Sequence, residues 1–124
     1  RVEDITNGKG VPVVFDGVGA DTFEGSLKCL SPFGVLASFG ASSGKPPQLS
    51  LSVLAAKALY ITRPSLAPHT ATAMLTKQIV SPLFSAIRDG LKISINQTFS
   101  LKDAANAHLA LQSRKTTGST ILEI

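Results

Sequence analysis

Cysteine, histidine and long apolar runs are scarce in this sequence, and each scarcity excludes a class of protein. The single cysteine, Cys29, excludes an intramolecular disulfide and a cysteine-rich metal site. The two histidines, His69 and His108, are far apart in the sequence, so no metal site is expected. No apolar run is long enough to span a bilayer, and the pattern of a signal peptide is absent. We therefore expect a cytoplasmic protein without a membrane partner.

Familiar catalytic and nucleotide-binding motifs are also missing. The sequence has no Gly-x-Ser-x-Gly nucleophile elbow, which a serine hydrolase of the α/β type would need. It has neither a Gly-x-Gly-x-x-Gly turn between a strand and a helix nor a P-loop lysine. If the chain contributes to a dinucleotide site, the part that binds the pyrophosphate must lie upstream of Arg1. Because the first residue is not Met, we expect a part of a longer protein.

The composition is that of a globular domain. The chain has 124 residues, of which 44% are hydrophobic and 16% charged, which is enough to form a core. Its net charge of +4 comes from 12 basic and 8 acidic residues. This balance would suit a phosphate-bearing cofactor or a nucleic acid, but a solvated surface explains it equally well. Because the basic residues are scattered, we do not expect a nucleic-acid partner.

The first half of the sequence alternates strand and helix patterns. Apolar, β-branched runs bounded by glycine or proline predict three strands, and the first should be buried on both faces. A capping signal at Asp21 and Glu24 predicts a helix that continues to about Leu30. The predicted strands are Val11–Phe15, Gly34–Phe39 and Lys57–Thr62, with a short helix at Ser50–Ala56. This order predicts an α/β fold with half of a doubly wound parallel sheet.

The second half of the sequence is dominated by helical periodicity. Apolar residues four apart predict a helix from about Ala71 to Gly90. Pro82 interrupts this pattern, so either two abutting helices, the second capped at Ser81, or one kinked helix is possible. The remaining predicted elements are a half-buried strand at Ile93–Phe99, a helix at Leu101–Arg114 capped by Ser100, and a final strand at Ser119–Ile124.

Candidate functional residues follow the predicted strands, because a parallel sheet binds ligands beyond its carboxyl ends. Glycine after a strand lets a ligand approach the backbone, although such glycines can also simply form turns. Asp16 is expected to accept hydrogen bonds from loop amides rather than to act in catalysis, and Cys29 to be a small buried residue. Arg63 and Arg114 could each pair with a phosphate or lie on the surface. The strand-end segments are Asp16–Gly19, Ser38–Ala41 and Thr62–Ser65.

Segments along nearly the whole chain resemble, in order, the zinc-independent quinone oxidoreductases. This zeta-crystallin-like family belongs to the medium-chain dehydrogenase/reductase superfamily. The segments that carry the resemblance are Val14–Gly19, Asp21–Leu27, Ser38–Gly44, Tyr60–Leu66, Leu101–His108 and Ser113–Gly118. The family commonly has a polar residue where Gly17 and Ala41 stand here.

The resemblance implies a fold, a cofactor and a set of site residues. Residues 1–64 would form the C-terminal half of the dinucleotide-binding domain, and residues 65–124 would return to the substrate domain. NADPH would donate hydride to a quinone-like acceptor without zinc. Gly17 would lie beside the cofactor, and Arg114 would reach back to it. The ribose and pyrophosphate region would be lined by Ser38, Phe39, Gly40 and Ala41, and the nicotinamide end flanked by Arg63, Pro64 and Ser65.

The resemblance also implies a homodimer, formed through the edge strand Ala58 to Thr62. The chain alone is expected to be inactive and to bind NADPH weakly or not at all, because the phosphate-binding part is missing. Alternatives are a sibling enoyl or alkenal reductase, and a non-catalytic crystallin-like or RNA-binding protein.

Overall fold

A parallel three-stranded sheet organises the first half of the chain. The computed structural model describes residues 1–124. The strands β1 (Val11–Asp16), β2 (Leu30–Ser38) and β3 (Tyr60–Thr62) lie in the order β1-β2-β3, and both neighbouring pairs are parallel. The predicted α/β fold with parallel strands is therefore confirmed. Since the strands point the same way, their carboxyl ends meet at one edge of the sheet.

The chain divides into two compact units, Arg1–Pro68 and His69–Ile124. The first unit contains the sheet, with α1 (Val2–Thr6) before it, α2 (Phe23–Cys29) between β1 and β2, and α3 (Ser52–Ala55) between β2 and β3. A short helix, α4 (Leu66–His69), ends at the division between the units. No helix of the structure combines the length and the hydropathy that crossing a membrane would require.

The core of the first unit lies between α2 and the central strand. Leu30 and Leu36 of β2 are fully buried, and α2 contributes Phe23 and Leu27 to the same cluster. Partly buried apolar side chains surround them: Val14, Leu49, Leu54, Leu59 and Ile61. Burial of these side chains removes apolar surface from water and so fixes α2 against the sheet.

The prediction that the first strand is buried on both faces is wrong. Phe15 is 75% exposed and Val13 42% exposed, although Asp16 at the end of the strand is buried. The reason is that Val13 and Phe15 lie on the opposite face from Val14, which packs against the core beside α2, and a strand is buried on both faces only where a second layer covers the other face. The prediction that Cys29 is buried also needs correction, since Cys29 is half-buried.

The capping signal predicted for α2 is also wrong. The helix begins at Phe23, with Thr22 as its N-cap residue, and no side chain accepts a hydrogen bond from a free N–H at this end. The exposed Asp21 takes no part. The Thr22 hydroxyl instead donates to the Asp16 carboxylate, so it is engaged outside the helix.

Two strand boundaries differ from the predicted ones. β2 begins at Leu30 rather than Gly34, and its pairing with β1 shifts register between Val11 and Val13. β3 covers Tyr60–Thr62 only, whereas the prediction began at Lys57. Ala58 has a φ of 49°, a left-handed conformation that a strand cannot include. The strand proposed for dimer contact is thus shorter than predicted.

The second unit contains one long helix and a two-stranded parallel sheet. The helix α5 (Ala73–Arg88) is continuous through Pro82, so the alternative of a second helix capped at Ser81 is wrong. Its true cap is Thr72, whose Oγ1 accepts from the N–H of Leu75 at 3.2 Å. The other elements are β4 (Ile95–Ser100), a 3-10 turn at Leu101–Asp103, α6 (Ala104–Gln112) and β5 (Ser119–Glu123), with β4 and β5 paired in parallel.

Candidate functional site

Asp16 organises the turn that follows β1. The side chain is only 3% exposed. Its Oδ1 accepts from the main-chain N–H groups of Val18 at 2.8 Å and Gly19 at 3.1 Å. The hydroxyls of Thr22 and Ser26 donate to Oδ2, each at 2.9 Å. The prediction that Asp16 holds the loop by accepting from its amides is confirmed.

These hydrogen bonds keep Asp16 ionised in a buried place. Burial by itself raises the pKa of the carboxyl group, because the charged form loses its hydration. The donors from Gly19, Val18 and the two hydroxyls outweigh burial, and the pKa of Asp16 lies below its ordinary value of 3.8. The carboxylate therefore accepts hydrogen bonds from the amides and hydroxyls around the turn, which is a structural role.

The turns after β1 and β2 are in direct contact. The carbonyl of Asp16 accepts from the N–H of Phe39 at 2.9 Å and from that of Gly40 at 3.3 Å. A side chain at Gly40 would overlap the main-chain oxygen of Gly17, and its Cβ would lie 2.8 Å from the Gly17 Cα. Glycine at position 40 is therefore needed for this close approach of two backbones.

A second set of hydrogen bonds joins the same two turns farther from the strands. The N–H of Ser43 donates to the carbonyl of Val18 at 2.8 Å, and its hydroxyl donates to the same oxygen at 2.8 Å. The N–H of Ser42 donates to the carbonyl of Gly17 at 3.3 Å, and that of Ala20 donates to the carbonyl of Gly44 at 3.1 Å. Local sequence patterns could not predict these contacts, because the paired residues lie more than twenty positions apart.

Arg63 joins the end of β3 to the turn after β2. Its Nη1 donates to the main-chain oxygen of Ser38 at 2.8 Å, to the Ser38 hydroxyl at 3.2 Å and to the main-chain oxygen of Gly40 at 2.9 Å. All three acceptors are neutral oxygen atoms, so these contacts leave the positive charge of the guanidinium uncompensated. The structure thus places a cation at the carboxyl edge of the sheet.

Phe39 completes the site. Its N–H is bonded to Asp16, whereas its side chain is 56% exposed. The ring lies over Gly17: a Cβ built on Gly17 would be 2.9 Å and 3.0 Å from two ring carbons. We call the residues gathered here the strand-end cluster, and they are Gly17, Ser38, Phe39, Gly40 and Arg63.

The remaining predicted site residues lie around or outside this cluster. Ala41 is half-buried in the turn after β2, where its Cα would lie 3.0 Å from a Cβ on Gly19. Pro64 and Ser65 are exposed and directly follow Arg63. Arg114 lies in the second unit after α6, exposed and with a φ of 56°. Sequence reasoning missed the contributions of Thr22, Ser26 and Ser43, whose only signal was a hydroxyl near a turn.

A separate surface cavity of about 320 Å³ lies along α2, and none of its lining residues belongs to the strand-end cluster. Apolar groups from Phe23, Leu27, Leu49 and Val53 line much of it. It has no concentration of titratable groups, since Glu24 and Lys28 are the only charged residues there.

Comparison with known proteins gives consistent results. A family model described as zinc-binding dehydrogenase matches residues 1–122. The quinone oxidoreductase of Pseudomonas aeruginosa is 46% identical over 98% of the chain, and the 2-haloacrylate reductase of a Burkholderia species is 39% identical over 98%. The structure of Escherichia coli quinone oxidoreductase complexed with NADPH matches the whole chain with a TM-score of 0.91 and 44% identity. The resemblance to quinone oxidoreductases is thereby confirmed.

The match covers only part of each relative. The chain spans 38% of the Pseudomonas aeruginosa protein, 37% of the Burkholderia protein and 39% of the Escherichia coli structure. The zinc in the family description finds no donor set in this chain, because no group of three His, Cys, Asp or Glu residues could hold a metal ion. No chemical step through zinc is therefore assigned to these residues.

Proposed function

The chain belongs to the zinc-binding dehydrogenase family, and from that premise we propose that it is the C-terminal part of an oxidoreductase that transfers hydride from NADPH to a quinone-like acceptor. The observation that carries the proposal is the strand-end cluster. Two glycines, an exposed aromatic ring and an arginine meet where three parallel strands end. This is the edge at which open parallel sheets bind dinucleotides.

The cluster suits the nicotinamide side of the cofactor, from the pyrophosphate to the nicotinamide. Gly17 and Gly40 let the two turns and the Phe39 ring pack closely at this end of the sheet, and Arg63 supplies a fixed cation held by three hydrogen bonds. We assign Gly17 and the segment Ser38 to Ala41 to the ribose and pyrophosphate region, and Arg63 to Ser65 to the nicotinamide end. Arg114 is assigned to the cofactor on the resemblance alone.

NADPH, when bound, supplies the hydride, and the residues of the chain position the reacting groups and exclude water. Hydride addition to a quinone leaves a hydroquinone anion, which would take its proton from water. Asp16 is fully engaged in the turn, and no residue of this chain is assigned as an acid or base. Holding the two reactants in line accounts for much of the expected acceleration. This division of labour agrees with the absence of a group of titratable residues at the cluster.

We further propose that residues 1–64 belong to the dinucleotide-binding domain and residues 65–124 to the substrate domain. The division of the chain into two compact units after Pro68 supports this assignment. The second unit also leaves many large apolar side chains exposed, as expected for a segment that packs on other parts of a domain. These exposed side chains include Met74, Leu83, Phe84, Leu101 and Leu109.

A spectrophotometric assay tests the proposal directly. The longest natural protein that contains this sequence should oxidise NADPH in the presence of a simple quinone, and should prefer NADPH to NADH. The isolated chain should be inactive, and isothermal titration should detect no micromolar binding of NADPH. Failure of the longer protein to oxidise NADPH with any quinone would overturn the proposal.

An activated alkene is the second candidate acceptor. The relative named 2-haloacrylate reductase favours it, because that substrate carries a carbon–carbon double bond conjugated to a carboxylate. Arg63 would suit such an anionic acceptor better than a neutral quinone. The ratio of kcat/KM for a quinone and for 2-chloroacrylate in the same protein decides between the two candidates.

A further inference from the structure

We propose that Gly17 and Phe39 together determine specificity. The Phe39 ring packs on the backbone of Gly17, and its exposed part stacks with a planar conjugated ring of the ligand. The proposal rests on the proposed function and refines it. The ligand ring would be that of the acceptor or that of the nicotinamide, and binding measurements can tell these two apart.

The contacts around Gly17 show how the Phe39 ring packs there. The three atoms nearest to a Cβ built at this position all belong to the Phe39 ring, the nearest at 2.9 Å. Gly17 has no positive φ, so the backbone alone would accept any residue. The glycine is therefore required by the ring rather than by the turn.

The backbone that carries the ring is held by hydrogen bonds. The N–H of Phe39 donates to the Asp16 carbonyl at 2.9 Å, and Arg63 holds Ser38 and Gly40 on either side. The ring nevertheless remains 56% exposed. One part of the side chain is thus packed on Gly17, and the rest is available to a ligand.

The nearby polar groups are already engaged within the protein. The carbonyl of Asp16 accepts from two amides, that of Gly17 accepts from Ser42, and those of Ser38 and Gly40 accept from Arg63. The Asp16 carboxylate binds two amides and two hydroxyls. What this edge presents to a ligand is therefore mainly an aromatic surface beside a cation, which suits stacking with a planar ring.

A double-mutant cycle in the longest natural protein that contains this sequence tests whether Gly17 and Phe39 act together. Gly17→Ala places a methyl group against the far end of a flexible side chain, so the ring should move while the fold is kept. Phe39→Leu keeps an apolar side chain but removes the flat ring. Gly25→Ala is the matched control, since a Cβ at Gly25 meets nothing within 4 Å. Circular dichroism confirms that each variant is folded.

The measurements are the Kd of NADPH without acceptor and the KM of a quinone at saturating NADPH. Gly17→Ala and Phe39→Leu should each weaken one of these by about three- to tenfold, the range expected for loss of an aromatic pair. The double variant should be no weaker than Phe39→Leu alone. A change in the NADPH Kd identifies the nicotinamide as the stacked ring, and a change in the quinone KM identifies the acceptor.

Two results overturn the inference, and they are distinguishable. If the unsubstituted protein is active but Gly17→Ala behaves like Gly25→Ala, Gly17 and Phe39 do not act together and the proposed function stands. The same conclusion follows if the effects of Gly17→Ala and Phe39→Leu are additive. If the unsubstituted protein neither binds NADPH nor reduces a quinone, the proposed function fails and the inference fails with it.

Discussion

The Nη1 atom of Arg63 donates to both oxygen atoms of Ser38, to the carbonyl at 2.8 Å and to the hydroxyl at 3.2 Å. Ser38 is buried at the end of the central strand, whereas Arg63 directly follows the edge strand. One side chain therefore connects the ends of two neighbouring strands. This connection helps to set the shape of the strand-end cluster.

Removal of the guanidinium should loosen the turn after β2. Arg63→Ala removes the hydrogen bonds to two oxygens of Ser38 and to that of Gly40, and we expect a loss of about 1–3 kcal/mol in the free energy of unfolding. Arg63→Lys should lose less, because an ammonium can replace some but not all of the three contacts. Urea denaturation of the chain measures both. Arg88→Ala, which removes one exposed contact to Ser85, is the control, and equal losses at both arginines would contradict the prediction.

Gly40→Ala should be more damaging than Gly25→Ala, a glycine substitution at an open position of the same unit. Its Cβ would lie against the backbone of Gly17, which cannot move as a flexible side chain can. We expect a loss of about 1–3 kcal/mol, typical of overpacking. Thermal unfolding of Gly40→Ala beside the control Gly25→Ala measures the effect. A midpoint for Gly40→Ala at or above that of the control would show that the two turns can separate freely.

Much of this arrangement could be predicted from the sequence, and the exceptions have physical causes. The strands, their parallel order and the glycines at their ends followed from local apolar runs and turn residues. The exposure of Phe15 could not be predicted, because it depends on whether another layer packs on that face of β1. The short β3 could not be predicted either, since a left-handed Ala58 carries no signal in composition. The role of Thr22 was missed because its hydroxyl binds the Asp16 carboxylate instead of capping the helix that follows it.

Replacement of the buried carboxylate should destabilise the first unit. Asp16→Asn keeps the size of the side chain but loses the charge that attracts two amides and two hydroxyls. We expect a loss of about 2–4 kcal/mol in the free energy of unfolding, since hydrogen bonds to a charged group are among the stronger ones. Urea denaturation at neutral pH measures it. Asp21→Asn, at an exposed residue outside the network, is the control and should change little.

The same carboxylate should make the stability of the chain depend on acid. Burial opposes ionisation of Asp16, but its hydrogen bonds lower the pKa in the folded state below the ordinary value of 3.8. A group of this kind contributes fully above its unfolded pKa, and the contribution is lost as the pH falls through the folded pKa. The free energy of unfolding should therefore decrease below about pH 4. Urea titrations from neutral to acidic pH should show a shallower decrease for Asp16→Asn, and an unchanged slope would contradict the assignment.

Self-association through β3 is the last prediction, and it follows from the edge position of this strand. β3 pairs with β2 on one side only, and its first residue, Tyr60, is 61% exposed. A second copy could pair its β3 across a twofold axis and so continue the sheet. Tyr60→Lys would bring like charges together in that arrangement, and we expect the dimer Kd to rise at least about tenfold. Phe33→Lys, at an exposed residue outside β3, is the matched control and should leave the dimer intact. Light scattering of the longest natural protein that contains this sequence decides the matter, because a monomer before substitution, or a dimer that Tyr60→Lys leaves unchanged, would rule out pairing through this edge.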